Sequence, residues 1–395
     1  MKTSPCRKFS CIILSALLGL SVFACGKKAP SGGAKEGLPD TIIIGGLAPL
    51  TGEVSIYGIS TTNGAQLAFE EVNAAGGING KQVKYVVKDE KGDISEALNA
   101  YNQLKKEGIV ALLGDVTSAP TVAVAQKAAQ KGDGMPMLTA TGTVADITLT
   151  GENVFRMCFL DADQGRMMGT YAAGTLGHKK AAVLKNNESD YSVGLADAFK
   201  TAFTEAGGEI VAEETYIEDD VDFKTQLTKI KASAPEVLYV PDYFGKDILI
   251  VGQARTVGLN VPLLGGDGWD GILGVTKEKT EADGVIFTNH FTTEDDNKDV
   301  QSFVKAYKDK YGEDPISFSA LGYDAAKLLC QAIGEANSTD SKAIVEAMKA
   351  IQFSGVTGEN ITFDKNGDPL KPVMMVDIEN GAYGIKDRVA IEARP

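Results

Sequence analysis

From residue 41 onward the chain alternates short β-rich runs with longer helical periods, and it does so twice in the same order. The first copy spans residues 41–145 and the second spans residues 180–268. In both copies the helix after the first strand stops at an Ala-Gly-Gly tripeptide, which begins at Ala75 in one and at Ala206 in the other. Alternating β and α elements are typical of parallel sheets whose faces are covered by helices. The repeat therefore predicts an α/β protein with two doubly wound parallel-sheet domains.

The remainder of the chain is predicted to close this fold. After a strand over 284–289, helices are predicted over 301–310, 319–335 and 341–351, and a last strand over 372–379. The two long helices in this stretch are expected to return to the first domain. The chain would then pass between the domains three times and form a three-strand hinge. The predicted lobes are residues 41–161 with 291–359 and residues 162–290 with 360–395.

Open α/β sheets bind their ligands in loops outside the carboxyl ends of the strands. The candidate loops are 48–57, 115–119 and 140–144 in the first copy, and 185–194, 241–246 and 265–271 in the second. Hydroxyl and backbone N–H groups dominate the first set, whose candidate ligand-binding residues are Thr117, Ser118, Thr141, Gly142 and Thr143. The second set offers one acid and three aromatic side chains, namely Asp267, Tyr191, Tyr243 and Trp269.

These two sets of loops predict the chemistry of a ligand. Helices begin next to Ser118 and Thr143, and helix N-termini favour anions such as carboxylates. Asp267 offers a negative charge to a cation, and the aromatic rings offer an apolar wall. An anion site opposite a cation site fits the zwitterion of an amino acid. The alternatives are that Tyr243 and Trp269 pack on the end of the sheet and that Asp267 caps a helix.

Charge and motifs disfavour several other functions. The net charge of −14 argues against nucleic-acid binding, because phosphates require a basic surface. The sequence has 2 histidines, His178 and His290, and lacks the G-x-S-x-G, H-E-x-x-H and C-x-x-C patterns. Ser118 would need a base within reach to act as a nucleophile. We therefore predict that the protein is not an enzyme and has no catalytic residue, no metal site and no cofactor.

An export signal is predicted at the start of the chain. Lys2, Arg7 and Lys8 form a positive segment, and an apolar stretch over 11–23 follows. That stretch is shorter than the roughly 20 apolar residues of a membrane-spanning helix. A small residue then precedes Cys25, in a pattern that resembles the bacterial lipoprotein cleavage box. The pattern predicts that Cys25 becomes a lipidated N-terminus.

The resulting domain assignment is a lipoprotein signal peptide over 1–24 and a flexible tether over 25–40, where Gly, Pro, Lys and Ala leave little to bury. The protein would be exported and lipid-anchored to the bacterial cell membrane, on its periplasmic or extracellular face. The alternative is plain secretion, with Cys25 incidental. Cys158 and Cys330 are predicted to be separate buried thiols.

The whole layout resembles the periplasmic leucine/isoleucine/valine-binding proteins, the type I solute-binding proteins of amino-acid ABC importers. The resemblance runs across nearly all of residues 41–395. Its landmarks, in order, are Pro49-Leu50-Thr51-Gly52, Tyr57-Gly58, Gly64-Ala65, Gly76-Gly77-Ile78-Asn79-Gly80, Asp163-Gln164-Gly165 and Gly265-Gly266-Asp267-Gly268-Trp269. The family's type I periplasmic binding protein fold is the fold expected here.

The resemblance implies roles for the candidate residues. The hydroxyls of Ser118 and Thr143, with nearby backbone N–H groups, would take the ligand α-carboxylate. The Thr141 carbonyl and Asp267 would take the α-ammonium. The ligand side chain would be walled by Tyr57, Val116, Thr117, Tyr191, Tyr243 and Trp269.

The resemblance also implies partners. A lipid-anchored, two-lobed monomer would capture a branched-chain or similar aliphatic amino acid and deliver it to an ABC permease in the cytoplasmic membrane. One alternative is a sensory protein that signals to a membrane receptor. Another is a ligand of a different class, namely an amide, a urea-like solute or an aromatic acid.

Overall fold

The structure is a computed structural model that describes residues 37–389. The predicted signal peptide, the lipidation site Cys25 and most of the predicted tether lie outside the described residues. None of the helices within 37–389 is long and apolar enough to cross a membrane.

Within residues 37–389 the chain forms ten α-helices and fourteen strands. The helices are α1 (Ser55–Ala74), α2 (Ile94–Lys106), α3 (Ser118–Ala128), α4 (Asp161–Gly174), α5 (Asp190–Glu205), α6 (Lys224–Ala232), α7 (Phe244–Thr256), α8 (Lys298–Tyr311), α9 (Ser317–Ala336) and α10 (Ser341–Ala350). The strands are β1 (Thr41–Ala48), β2 (Gln82–Asp89), β3 (Ala111–Leu113), β4 (Met137–Thr139), β5 (Val154–Arg156), β6 (Lys180–Asn186), β7 (Glu209–Tyr216), β8 (Val237–Tyr239), β9 (Leu263–Gly265), β10 (Val285–Asn289), β11 (Phe353–Gly355), β12 (Gly358–Ile361), β13 (Val373–Glu379) and β14 (Ala382–Val389).

Two sheets repeat one strand order. The first sheet has the order β2-β1-β3-β4-β5, and all of its pairs are parallel. The second begins with the equivalent order, β7-β6-β8-β9-β10, again with parallel pairs. The predicted pair of doubly wound units is confirmed, and each copy extends to a fifth strand. The second sheet is mixed rather than purely parallel, because β13 and β14 add to β10 in antiparallel fashion.

The chain passes between the two sheets three times, as predicted. After β5 it enters α4, which packs on α5 beside the second sheet. After β10 it returns to the first sheet, where α9 packs on α1 and α10 packs on α9. After β12 it passes to β13 of the second sheet. We call residues 157–160, 290–297 and 362–372 the three passages.

Helices α1 and α4 depart most from the sequence-based prediction. Helix α1 begins at Ser55, so that Tyr57, which was predicted to lie in a loop, is in its first turn. Helix α4 is not predicted from the sequence at all, since its three glycines are poor helix formers. Tertiary packing explains α4: a Cβ atom on Gly165 would lie 2.4 Å from the carbonyl oxygen of Leu195. One on Gly169 would lie 2.6 Å from that of Phe199. The two glycines let α4 and α5 approach closely.

Both cysteines of the described part of the chain are buried thiols. Cys158 lies in the first passage, and its Sγ donates to the carbonyl oxygen of Gly142 at 3.1 Å. Cys330 lies on α9, in the core between that helix and the first sheet. Burial raises the pKa of each thiol to about 12, which makes both poor nucleophiles.

The close contact of α4 and α5 gives a stability prediction. Gly169→Ala is expected to lower the free energy of unfolding by about 1–3 kcal/mol, because the added methyl group meets backbone that cannot move aside as a side chain would. Gly174→Ala, at the open end of the same helix, is expected to be neutral or stabilising by up to about 1 kcal/mol. Urea denaturation measures both values. Equal stability of the two variants would contradict the contact.

Candidate functional site

A small cavity lies where the carboxyl ends of the two sheets face each other. Its lining residues are Val116, Thr117, Ser118, Thr141, Thr143, Tyr191, Tyr243, Asp267, Gly268 and Phe318. Eight of these are predicted site residues; Gly268 and Phe318 are not. Tyr57, Gly142 and Trp269 are predicted site residues that do not line the cavity.

The side of the cavity formed by the first sheet is lined with hydroxyl groups. Ser118 is the first residue of α3, and its Oγ lies 3.4 Å from Thr143 Oγ1. The same Ser118 Oγ accepts a hydrogen bond from the Thr143 backbone N–H at 3.2 Å. Thr141 Oγ1 donates to the carbonyl oxygen of Val116 at 2.7 Å, which ties the two loops together. This side presents hydroxyls and a helix N-terminus without a formal charge.

Arg156 fixes the loop that carries Thr143 from behind. Its guanidinium is fully buried and donates to the carbonyl oxygens of Gly142 at 2.8 Å and Val144 at 2.9 Å. Its Nε also donates to Asp368 Oδ1 at 2.6 Å, which pairs the buried charge. Gly142 therefore supports the loop through its backbone rather than facing the cavity.

The opposite side presents the carboxylate of Asp267, which is 3% exposed. Its Oδ1 accepts hydrogen bonds from Gln164 Nε2 at 3.0 Å and from the Tyr191 hydroxyl at 2.8 Å. Gln164 also accepts from the Asp267 backbone N–H at 3.0 Å. Gly266, and not Asp267, occupies the N-cap position of the short 3-10 turn over Asp267–Trp269. The helix-cap alternative is therefore not its arrangement here.

Tyr57 connects the two sides. Its hydroxyl donates to the carbonyl oxygen of Gly268 and accepts from the backbone N–H of Phe244 at 3.2 Å. Its ring stacks on Phe318 with the centroids 4.1 Å apart. Burial raises the pKa of the Tyr57 hydroxyl, which therefore remains a neutral hydrogen-bond donor. Tyr57 stands behind the cavity wall and positions Phe318 and Gly268 within it.

Trp269 packs on the end of the sheet and does not line the cavity, as one of the alternatives predicted. Its indole Nε1 donates to the carbonyl oxygen of Val240 at 2.7 Å, and its side chain is fully buried. The ring covers Gly265 so closely that a Cβ atom there would lie 2.1 Å from it. Tyr243 differs: it lines the cavity, stacked on Tyr191 with the centroids 4.9 Å apart.

Phe318, Gly268 and Gln164 are the site residues that sequence reasoning missed. Phe318 lies in the first turn of α9, far along the chain from any loop that follows a strand of the first sheet. Gln164 lies in the first turn of the unpredicted α4. The Asp163-Gln164-Gly165 landmark of the resemblance was the available signal for Gln164, and no pattern pointed to Phe318.

Two buried carboxyl groups lie under the loop that carries Ser118. Asp115 follows β3, and its Oδ1 accepts from the Val116 backbone N–H at 2.7 Å. Glu90 follows β2, and its Oε2 accepts from Gly92 N–H at 2.9 Å. Glu90 Oε1 and Asp115 Oδ2 have no donor among residues 37–389. Burial, and then the proximity of the other acid, raises the pKa of Glu90. The pair is therefore expected to hold a proton at neutral pH.

Comparison with known proteins finds one family and close structural relatives. A family model described as "Periplasmic binding protein" matches residues 41–382. The Leu/Ile/Val-binding protein homolog 3 of Brucella melitensis is 33% identical over 335 residues, which are 84% of this chain and 89% of that protein.

Two solved structures are similar over almost their whole length. The leucine-binding protein LivK of Thermotoga maritima has a TM-score of 0.82 and 34% identity, over 88% of this chain and 99% of that one. The branched-chain amino acid transporter substrate-binding protein LivJ of Streptococcus pneumoniae, in complex with isoleucine, has a TM-score of 0.82 and 33% identity, over 89% and 99%.

The Glu90 and Asp115 pair gives a pH prediction. In the folded state the pKa of Glu90 lies above its unfolded value of about 4.3, so the folded state binds more protons than the unfolded state does. The stability that Glu90 contributes is therefore lost as the pH rises from about 4.3 through the raised pKa. Glu90→Gln keeps a donor toward Asp115 at every pH. Its stability relative to the wild type is therefore expected to rise by on the order of 1–3 kcal/mol between pH 5 and pH 8.5.

Urea denaturation at the two pH values measures this difference. Glu53→Gln, at an exposed position, removes the same charge and serves as the control. A Glu90→Gln difference that does not change with pH would contradict a shared proton.

Proposed function

This chain belongs to the periplasmic binding protein family, and from that premise we propose that it captures a branched-chain or similar aliphatic amino acid outside the cytoplasm. The observation that carries the proposal is the composition of one cavity. Hydroxyls and a helix N-terminus line one side of it, and the buried carboxylate of Asp267 lines the other. These are the partners that the two ends of an amino-acid zwitterion require. Because the family is a class of solute-binding proteins, we propose no catalytic activity.

The carboxylate end of the ligand is assigned to the first side. The Ser118 and Thr143 hydroxyls lie 3.4 Å apart and can both donate to one carboxylate. The N-terminus of α3 adds backbone N–H groups and the positive end of the helix dipole. No formal positive charge is needed for this half of the recognition.

The ammonium end is assigned to Asp267, assisted by the carbonyl oxygen of Thr141. Gln164 and Tyr191 both donate to Oδ1 of Asp267, which leaves Oδ2 for the ligand. A buried carboxylate is costly unless it is paired. A ligand without an ammonium group would leave this charge uncompensated, which favours an amino acid over a simple acid.

The side-chain end is assigned to the apolar part of the cavity. Val116, Tyr191, Tyr243 and Phe318 contribute aliphatic and aromatic surface there, and no further buried charge faces them among the lining residues. The similar structures named above include a leucine-binding protein and a protein in complex with isoleucine. An aliphatic side chain of that size is the ligand class that we propose.

We propose that capture closes two lobes on the ligand. The lobes are residues 41–161 with 291–359 and residues 162–290 with 360–395, and the three passages between the sheets serve as the hinge. A ligand that contacts both sides binds the closed form more tightly and so shifts the population toward it. The closed form then docks on the permease of an ABC importer.

The binding test uses the unlipidated Cys25→Ser protein and calorimetric titration with L-leucine, L-isoleucine and L-valine. Asp267→Asn is expected to weaken binding by about 2–5 kcal/mol, because the ligand ammonium loses its charged partner. Asp219→Asn, which removes an exposed charge, is expected to bind as the wild type does.

Benzoate and short amides form the opposing arm of the experiment. Binding of these ligands alone would overturn the amino-acid assignment and leave the fold and the binding role in place. Leucine binding that Asp267→Asn leaves unchanged would overturn the role of Asp267.

We also propose that a lipid on Cys25 anchors the protein to the membrane. The positive segment, the apolar stretch and the small residue before Cys25 support this proposal. In a bacterial host, the wild-type chain is expected to enter the detergent phase of a Triton X-114 extraction and Cys25→Ser the aqueous phase. Cys158→Ser is the matched cysteine control. Wild-type protein in the aqueous phase would contradict the anchor.

A further inference from the structure

His290 occupies the point where two of the passages meet the candidate site. It directly follows β10, at the start of the second passage, and its side chain is fully buried. Its ring stacks on Phe159 of the first passage, with the centroids 3.5 Å apart and the planes inclined by 20°. A residue of one passage thus packs on a residue of another, next to the cavity.

The polar edge of the same ring faces Asp267. His290 Nε2 lies 3.5 Å from Asp267 Oδ2, which is the carboxylate oxygen not used by Gln164 or Tyr191. Neither ring nitrogen of His290 has a hydrogen-bond partner among residues 37–389. A buried N–H group without a partner costs free energy, so the ring is expected to donate where an acceptor is within reach.

The surroundings of His290 keep the ring neutral. Burial lowers the pKa of the imidazole to about 4. The third passage adds Lys371, whose buried Nζ donates to Thr357 Oγ1 at 2.8 Å and whose charge opposes a second positive charge on His290. A neutral imidazole has one N–H donor. It can therefore orient a carboxylate without neutralising it, which leaves the charge of Asp267 to the ligand.

We propose that His290 is a positioning residue, which donates from Nε2 to Asp267 Oδ2 and sets that oxygen toward the ligand ammonium. This inference rests on the proposed function of the cavity. His290 is not among the residues that line the cavity, so it acts through Asp267. The His290 ring also packs on Phe159 of the first passage. A change in how the passages pack would therefore move His290 and, through its hydrogen bond, the Asp267 carboxylate.

The test compares two ligands that differ only at the ammonium. L-Leucine carries the group, and 2-hydroxy-4-methylpentanoate carries a hydroxyl in its place. The ratio of their dissociation constants measures recognition of the ammonium separately from packing. His290→Phe keeps a flat ring for the Phe159 stack and removes the N–H donor. It is expected to lower the preference for L-leucine by about tenfold or more, the loss of one hydrogen bond to a charged group.

Two control variants separate donation from packing. His290→Gln keeps an N–H donor without the ring. Its ratio of dissociation constants is expected to stay within about threefold of the wild-type ratio, because a change of that size is smaller than the loss of one hydrogen bond. Phe159→Leu removes the stacked ring and keeps His290, and is also expected to retain the ratio. A His290→Phe variant that weakens both ligands equally, or that only lowers the midpoint of thermal unfolding, would overturn the proposal.

A spectroscopic measurement covers the case in which His290→Phe does not fold. The chain contains 2 histidines, so the imidazole ¹⁵N spectrum of the wild type is simple, and His178→Gln assigns it. L-Leucine is expected to leave one His290 tautomer, protonated at Nε2 and hydrogen-bonded. A His290 ring protonated at Nδ1 in the complex would overturn the proposal.

Different outcomes would overturn the proposed function and the role of His290. Wild-type protein that binds no amino acid would overturn the proposed function and this inference together. Wild-type protein that prefers L-leucine, with an unchanged ratio in His290→Phe, would overturn the role of His290 alone.

Discussion

A buried carboxylate needs hydrogen-bond donors around it, and the packing of the second half of the molecule provides them for Asp267. Gln164 comes from α4 and Tyr191 from α5, and both reach the same oxygen. The two helices can deliver them because Gly165 and Gly169 let the backbones of α4 and α5 approach closely. The close packing of these helices therefore accompanies the delivery of both donors to one carboxylate oxygen.

The two sides of the cavity differ in charge and favour opposite ends of a zwitterion. The first side offers hydroxyls and a helix terminus, which attract an anion without placing a formal charge in the cavity. The second side carries a full negative charge with one oxygen still open. Under the proposed function, such a cavity would repel a simple anion from the second side and hold a zwitterion from both. The carboxylate would then determine selectivity, while the uncharged side would contribute affinity for any ligand with an acid group.

Sequence reasoning reached the parts of this site that depend on local order. Ser118, Thr143 and Asp267 lie within five residues after the ends of β3, β4 and β9, and the carboxyl ends of parallel strands meet at one edge of a sheet. Phe318 could not be predicted, because it lies on α9. That helix packs on the first sheet but follows β6–β10 of the second sheet in the chain. Trp269 follows the same strand as Asp267, yet it does not line the cavity, because Gly265 leaves room for its ring to pack on the sheet. Residue type and position alone do not separate those two cases.

Each side of the cavity is held largely by its own hydrogen bonds. Arg156 fixes the loop of Thr143 from within the first side, and Gln164 fixes Asp267 from within the second. Tyr57 is different, because it reaches from α1 to Gly268 and Phe244 across the cavity. A ligand that enters such a site meets partners already in place. In the proposed closure, its binding free energy would be available mainly for bringing the two sides together, and Tyr57 would contribute contacts of its own to that motion.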